Sequence, residues 1–196
     1  MALEEKRTIS RREALKHIGF GALAIAGGYS LLTSCKGKVK DEAANGTLVM
    51  ATRKDNGNGR EISLLGFGCM RFPELEVDGK KIVDLDKTDE MLAKAYEQGV
   101  NYFDTAPYYC NSNSEVALGH GVKAFREKVL LSSKFPTEVA KKPGDFRRQL
   151  ESTLKRLDTE YLDFYHFWGI NKGSFDNIIM KQDLLRDAQL AKEEGL

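Results

Sequence analysis

The chain has 196 residues, 41% of them hydrophobic, four prolines and a formal net charge of +1. This composition argues against wholesale disorder, and the length suffices for one domain with a sizeable core. From residue 35 onward 25 Lys and Arg stand against 26 Asp and Glu, so no basic excess points to nucleic acid. The three cysteines (Cys35, Cys69 and Cys110) and three histidines match neither zinc-ligand spacing nor a disulfide framework, and no metal is expected.

The N-terminus is predicted to direct export rather than to fold with the rest. Arg11 and Arg12 precede an apolar, glycine-containing run over residues 18–32, and this pattern resembles a twin-arginine export signal. The motif Leu-Thr-Ser-Cys that ends at Cys35 resembles a bacterial lipobox, which implies that Cys35 is acylated. The alternatives are a short transmembrane anchor and an ordinary apolar helix, but for a permanent anchor the run is shorter than the ~20 residues that span a bilayer.

The globular part begins with a predicted β-hairpin. Strand-like residues 48–53 and 61–65 flank Asn-Gly-Asn-Gly at 56–59, and Asn-Gly pairs tolerate the positive φ of a tight turn. A strand over 65–70 follows. A helix is predicted over 86–98, with Asp86 as its N-cap and Gly99 as its stop.

Strands and helices then alternate. Further strands are predicted over residues 101–106, 129–135 and 162–168. Helices are predicted over 114–125, between the last two strands, and over 183–194. In the third helix Phe146, Leu150, Leu154 and Leu157 form one apolar stripe that can lie on a sheet. Four successive strand-helix units imply parallel strands joined by right-handed crossovers. The pattern alone does not separate an open doubly wound sheet from a barrel.

Four short segments carry a family resemblance. They read Leu-Gly-Phe-Gly-Cys-Met at 65–70, Tyr-Phe-Asp-Thr-Ala-Pro-Tyr-Tyr at 102–109, Ser-Ser-Lys-Phe at 132–135 and Tyr-Leu-Asp-Phe-Tyr at 161–165. Together they resemble the aldo-keto reductases, (β/α)8 barrels that reduce carbonyls with NADPH. The resemblance implies an α/β fold, a partial TIM barrel of about the first four β/α units preceded by a β-hairpin. It would occupy residues 47–196, behind a signal peptide at 1–34 and a lipidated tether at 35–46.

Carbonyl reduction needs a hydride donor and an acid that protonates the developing alkoxide. A nearby ammonium makes a phenol proton easier to release, and a carboxylate can hold that ammonium in place. The resemblance implies that Tyr109 is the general acid, that Lys134 assists it and that Asp104 orients Lys134. Taken one at a time, Tyr109 could be a loop aromatic, Lys134 a solvated strand end and Asp104 the start of a turn. Their joint order along the chain favours the acid-base site. The nicotinamide pocket would be lined by Gly68, Cys69, Met70 and Asp104.

The end of the fourth strand departs from the family. Members usually place there a histidine that hydrogen-bonds the substrate carbonyl, whereas the alignment puts Trp168 at this position. His166 lies two residues earlier, on the same face and about 7 Å away along the strand. Either His166 acts from one layer deeper or the Trp168 indole N–H replaces it, and a packed core histidine is the alternative for His166.

Residues 192–196 are expected to end the fourth helix just before a fifth strand. The later strands, which hold most phosphate and adenine contacts in the family, are not expected in this chain, and no G-x-G-x-x-G motif substitutes for them.

The predicted function is an NAD(P)H-dependent oxidoreductase of a small-molecule carbonyl in the bacterial cell envelope. The alternative is a non-catalytic half-barrel lipoprotein that acts as an interaction module. Exposed edges with core-facing Leu162, Phe164 and Trp168 would favour self-association.

Overall fold

The computed structural model describes residues 49–55, 57 and 59–196. The residues predicted to direct export and lipidation lie outside the described residues: Arg11, Arg12 and Cys35. Asn56 and Asn58 of the predicted turn also lie outside them. Within the described ranges, no helix is long and apolar enough to cross a membrane.

The predicted N-terminal hairpin is confirmed. Strand β1 (Thr52–Lys54) pairs antiparallel with β2 (Glu61–Ser63). Asn101 attaches this hairpin to the rest of the fold: its side-chain oxygen accepts from the Ser63 backbone N–H at 2.8 Å, and its amide donates to the Glu61 carbonyl at 2.8 Å. The hairpin is therefore joined to the chain just before the second parallel strand begins.

A second hairpin follows that the sequence analysis missed. Strand β3 (Phe67–Gly68) is shorter than the predicted 65–70, and β4 (Glu74–Val77) then pairs antiparallel with β5 (Lys80–Val83). Asp78 and Gly79 connect them with φ of 51° and 72°. An Asp-Gly pair with positive φ at both residues is a strong signal for a two-residue hairpin turn, so the pattern was present in the sequence.

The first helix, α1 (Leu85–Glu97), begins one residue earlier than predicted, and its N-cap is Asp84 rather than Asp86. The Asp84 carboxylate accepts the Lys87 backbone N–H at 3.1 Å, because it precedes the helix and can reach a free N–H of the first turn. This hydrogen bond lowers the pKa of Asp84. Gly99 ends the helix as predicted, with φ of 88°.

The remaining elements alternate as predicted. The longer ones are β6 (Tyr102–Asp104), α2 (Ser114–Val122), β7 (Leu130–Pro136), α3 (Asp145–Leu157), β8 (Phe164–Trp168) and α4 (Leu184–Glu193). A short helix, Lys172–Ser174, and a π-helix, Phe175–Met180, lie between β8 and α4 and are not among the predicted elements. A 3₁₀ turn, Lys123–Lys128, replaces the end of the predicted second helix. Strands β3, β6, β7 and β8 form one parallel sheet in that order, which confirms the predicted parallel strands.

Side chains that alternate along the strands separate a helix-covered face from an open face. Phe103, Leu131 and Phe135 are buried on the covered face, and the Phe135 ring lies 5.1 Å from that of Phe146 on α3. The predicted apolar stripe of α3 is confirmed, since all four of its members are buried. The open face carries the alternate residues, including Asp104 and Lys134.

Helices α2 and α3 approach closely at Gly119. A Cβ added there would lie 2.3 Å from the carbonyl oxygen of Leu157 and 2.6 Å from its carbonyl carbon. Gly119→Ala should therefore lower the free energy of unfolding by about 2 kcal/mol, because the backbone of α3 must shift, despite the better helix propensity of alanine. Denaturant unfolding of the full chain would measure this change. Val116→Ala, at an exposed position of α2, is the matched control, and equal stability of the two variants would contradict the prediction.

Strand β8 has no strand partner on its outer side within the described part of the chain. The expectation of three exposed core-facing residues is wrong for Leu162, which is 8% exposed and belongs to the core. Leu162 precedes the first residue of β8, so strand alternation does not govern its direction. Phe164 and Trp168 are half-buried. A cavity of about 580 Å³ borders β8, α3 and α4.

Candidate active site

The open face of the sheet brings the predicted acid-base residues to the carboxyl ends of adjacent strands. Asp104 is the last residue of β6, and in the parallel register it pairs with Ser132 of β7. Lys134 lies two residues further along β7 and pairs with His166 of β8. Since residues two apart on a strand share a face, Ser132 and Lys134 both lie beside the Asp104 carboxylate.

Lys134 joins the parts of this site. Its Nζ donates to Asp104 Oδ2 at 2.5 Å and to the Thr105 carbonyl oxygen at 2.6 Å. The same Nζ lies 4.8 Å from the centre of the Tyr109 ring. The Lys134 side chain is 14% exposed and that of Asp104 32%, so the ion pair is shielded but still reachable from the open face.

Ser132 is a site residue that the sequence analysis did not identify. It is fully buried, and its hydroxyl donates to Asp104 Oδ1 at 2.9 Å while Lys134 binds Oδ2. The carboxylate is thereby held on both oxygens. Strand alternation could have found Ser132, since it lies two residues before Lys134.

The loop that carries Tyr109 is held in an unusual backbone conformation. The three residues after Tyr109 are in the left-handed region, with φ of 50° at Cys110, 53° at Asn111 and 66° at Ser112, which costs roughly 1 kcal/mol or more each. The Asn113 side-chain amide donates to the carbonyls of Cys110 and Asn111 at 3.3 and 3.1 Å. These bonds help to maintain the turn that places the Tyr109 ring beside Lys134.

His166 and Trp168 lie two residues apart along β8 on the open face, so their side chains belong to two successive layers along the strand. His166 pairs with Lys134 in the strand register, and its Nε2 lies 3.5 Å from the Tyr102 hydroxyl. The Trp168 ring lies one layer nearer the strand ends, with centroids 5.8 Å from the rings of both Tyr108 and Tyr109. Trp168 therefore adjoins the Tyr109 phenol ring, and His166 lies one layer deeper.

The predicted nicotinamide-lining residues do not all face the same way. Gly68 pairs with Asp104 in the register, and a Cβ added to it would meet nothing within 4 Å. Met70 is exposed. Cys69 is 0% exposed, its backbone N–H donates to the Asp104 carbonyl, and its carbonyl accepts from Ser114 Oγ at 2.6 Å. The side chain of Cys69 thus faces the core, contrary to the expectation, because these bonds turn the chain inward.

A sequence profile of the aldo/keto reductase family matches residues 64–172. This range includes the predicted acid-base cluster, Asp104, Tyr109 and Lys134. The chain belongs to the aldo/keto reductase family. This confirms the resemblance inferred from the four segments.

Two curated relatives illustrate how far the family likeness extends. L-galactose dehydrogenase of Arabidopsis thaliana is 32% identical over 145 residues, which cover 70% of this chain and 43% of that protein. The uncharacterized oxidoreductase YqkF of Bacillus subtilis is 26% identical over 156 residues, covering 75% of this chain and 46% of that protein. The chain spans about half the length of the curated relatives that it matches.

A solved structure supports the fold assignment. The thermostable aldo-keto reductase Tm1743, crystallised with the inhibitor epalrestat, superposes with a TM-score of 0.61 and 29% identity. The match covers 74% of this chain and 51% of that one. Together with the parallel sheet order, it confirms the predicted fold class, a partial (β/α)8 barrel of the aldo-keto reductase type.

Proposed function

We propose that this chain carries the proton-donating side of an NADPH-dependent aldo-keto reductase that acts on a small-molecule carbonyl. One observation carries the proposal: the Lys134 ammonium lies 2.5 Å from the Asp104 carboxylate and 4.8 Å from the centre of the Tyr109 ring. A phenol, an ammonium and a carboxylate in this order form an acid that can protonate a developing alkoxide.

Each member has a distinct role. Tyr109 donates its hydroxyl proton to the carbonyl oxygen. The positive charge of Lys134 stabilises the phenolate left behind, because the two groups are close and shielded from water. Asp104 holds the ammonium through Oδ2, and the Ser132 hydroxyl holds Asp104 in turn by donating to its Oδ1. Asp104 and Ser132 are thus positioning residues, which act through Lys134.

The open surface beside Asp104 fits a nicotinamide ring. Gly68 leaves free space in register with Asp104, and Met70 is exposed beside it, so a flat ring can lie against the sheet there. When bound, the nicotinamide supplies the hydride for the carbonyl carbon. Gly68, Met70 and Asp104 would hold it, and Cys69 would contribute only by packing beneath them.

A second donor to the carbonyl oxygen is proposed at Trp168. Its ring contacts the Tyr109 ring, so the indole N–H lies in the layer where the substrate carbonyl would meet the phenol. His166 lies one layer deeper, next to Tyr102. We propose that it acts there as a positioning residue and that it does not donate to the carbonyl oxygen.

An NADPH fluorescence titration combined with a carbonyl-reduction assay tests the proposed function. We expect NADPH to bind and to be oxidised in the presence of aldehydes or ketones. The assay should be made on the full chain and on any longer product of the same gene. Failure of both to bind NADPH would contradict the proposal.

The open edge of β8 supports a second candidate function, an interaction module. The edge has no strand partner within the described ranges, and a cavity of about 580 Å³ lies beside it. An unpaired strand edge can pair with another chain, including a second copy. Light scattering would report self-association. A monomer that binds NADPH tightly would contradict this candidate.

We also propose that the protein is exported by the twin-arginine route and anchored by a lipid on Cys35. Two adjacent sequence signals support this, the Arg11-Arg12 pair before an apolar run and the Leu-Thr-Ser-Cys motif. Replacing Arg11 and Arg12 with lysine should retain the precursor in the cytoplasm, and Cys35→Ala should abolish lipid labelling. Cell fractionation with labelled fatty acid measures both. An unlabelled wild-type protein in the cytosol would refute the proposal.

A further inference from the structure

Two thiols flank the acid-base cluster and have no role in the proposed proton transfer. Cys69 follows β3, and Cys110 directly follows Tyr109. Both are free cysteines, and the described residues contain no others. Cys69 is fully buried, whereas Cys110 is partly exposed and packs against the core.

The two residues are in direct contact. The Cys110 Sγ lies 3.7 Å from the carbonyl oxygen of Cys69 and 3.3 Å from that of Met70, so this thiol rests on the peptide that follows Cys69. The Cys69 Sγ lies 3.9 Å from the Phe67 carbonyl oxygen. Both cysteines are free in this structure, so a disulfide requires the two sulfurs to move together.

The backbone around the pair is constrained on both sides. The Cys69 N–H donates to the Asp104 carbonyl at 2.8 Å, and its carbonyl accepts from Ser114 at 2.6 Å. Cys110 has a φ of 50°, a conformation in which most non-glycine residues are strained. A thiol is therefore held in a strained position directly against a residue that carries a second thiol. Strain kept at one position often accompanies function.

We propose that Cys69 and Cys110 form a modification site that takes an intramolecular disulfide, with a low-molecular-weight disulfide as the oxidant. In the first step the Cys110 thiolate attacks the small disulfide, forms a mixed disulfide and releases one small thiol. In the second step the Cys69 sulfur attacks the Cys110 sulfur and releases the other small thiol. The two protein thiols lose two electrons, the small disulfide gains them, and the two thiol protons pass to the released thiols.

The exposure of the two thiols determines this order. Burial raises the pKa of the Cys69 thiol well above its usual value; the charge of Asp104 and the neighbouring Cys110 add to the rise, and Lys134 opposes it. Cys69 is therefore a poor first nucleophile, while Cys110 can be reached from solvent. Because Cys110 adjoins Tyr109, the bond would also shift the Tyr109 ring relative to Trp168.

Thiol mapping of the full chain with Cys35→Ser tests the proposal without an activity assay. After incubation with oxidised glutathione, both remaining thiols should resist alkylation in denaturant, the mass should fall by that of two hydrogen atoms, and digestion should yield one peptide that joins positions 69 and 110. Reduction should reverse all three changes. A stable mixed disulfide at Cys110 with a free Cys69, or two thiols that stay reduced, would overturn the proposal.

The single tryptophan of the chain, Trp168, reports on Tyr109, because their ring centres are 5.8 Å apart. Oxidation should change the Trp168 emission in the Cys35→Ser protein, and no such change should occur when Cys110→Ala is added, because Cys110 is needed for both steps. A disulfide that forms with unchanged emission would overturn the coupling to Tyr109. Since neither readout uses NADPH, failure here is distinguishable from failure of the proposed reductase function.

Discussion

Replacement of Tyr109 by phenylalanine is expected to lower turnover about 100-fold or more in an active preparation, because acid catalysis is typically worth that much. The variant keeps the ring that contacts Trp168 and lies under Lys134, and it loses only the hydroxyl. Cofactor affinity should stay nearly unchanged, because the nicotinamide surface is formed by other residues. Steady-state kinetics with an NADPH fluorescence titration would measure both quantities.

Tyr96→Phe is a matched control for this variant. Tyr96 lies on α1, stacked on Phe125 with ring centres 4.4 Å apart, and it is remote from the acid-base cluster. The same atom is removed in both variants, so loss of turnover only in Tyr109→Phe would identify the phenol as the acid. An unchanged rate in Tyr109→Phe would remove its proposed role.

Replacement of Lys134 by methionine should reduce turnover by a similar factor of about 100 or more, because the charge that stabilises the phenolate is lost. Methionine preserves the apolar stem, but the Asp104 carboxylate and the Thr105 carbonyl lose the donor that now lies 2.5 and 2.6 Å away. A partly shielded carboxylate without its partner should also destabilise the fold. Kinetics and denaturant unfolding on the same preparation would separate the two effects.

Lys141→Met controls for the loss of a positive charge. Lys141 is exposed, and its backbone N–H, which the substitution leaves in place, donates to Asp145 at 2.7 Å. Neither turnover nor stability should change in this variant. If Lys134→Met were folded and fully active, Lys134 would have no part in the proton transfer.

Local patterns in the sequence predicted most of the elements correctly. The apolar stripe of Phe146, Leu150, Leu154 and Leu157 predicts α3, because a helix needs one continuous buried face. The order of Asp104, Tyr109 and Lys134 predicts the acid-base cluster, because the carboxyl ends of parallel strands lie at the same edge of a sheet. Even the missed β4-β5 hairpin carries a local signal in Asp78-Gly79.

Only the tertiary structure decided which way individual side chains face and which of them share a partner. Cys69 lies in a segment predicted to line the cofactor, yet the hydrogen bonds of its backbone to Asp104 and Ser114 turn its side chain into the core. Ser132 shares the Asp104 carboxylate with Lys134 only because the register places β6 and β7 side by side. The sequence by itself determined the family and the order of the elements, and it predicted that Asp104, Tyr109 and Lys134 form one site, because these depend on periodicity and on local motifs. Contacts between residues tens of positions apart depend on strand register and on loop paths, and only the folded chain specifies these.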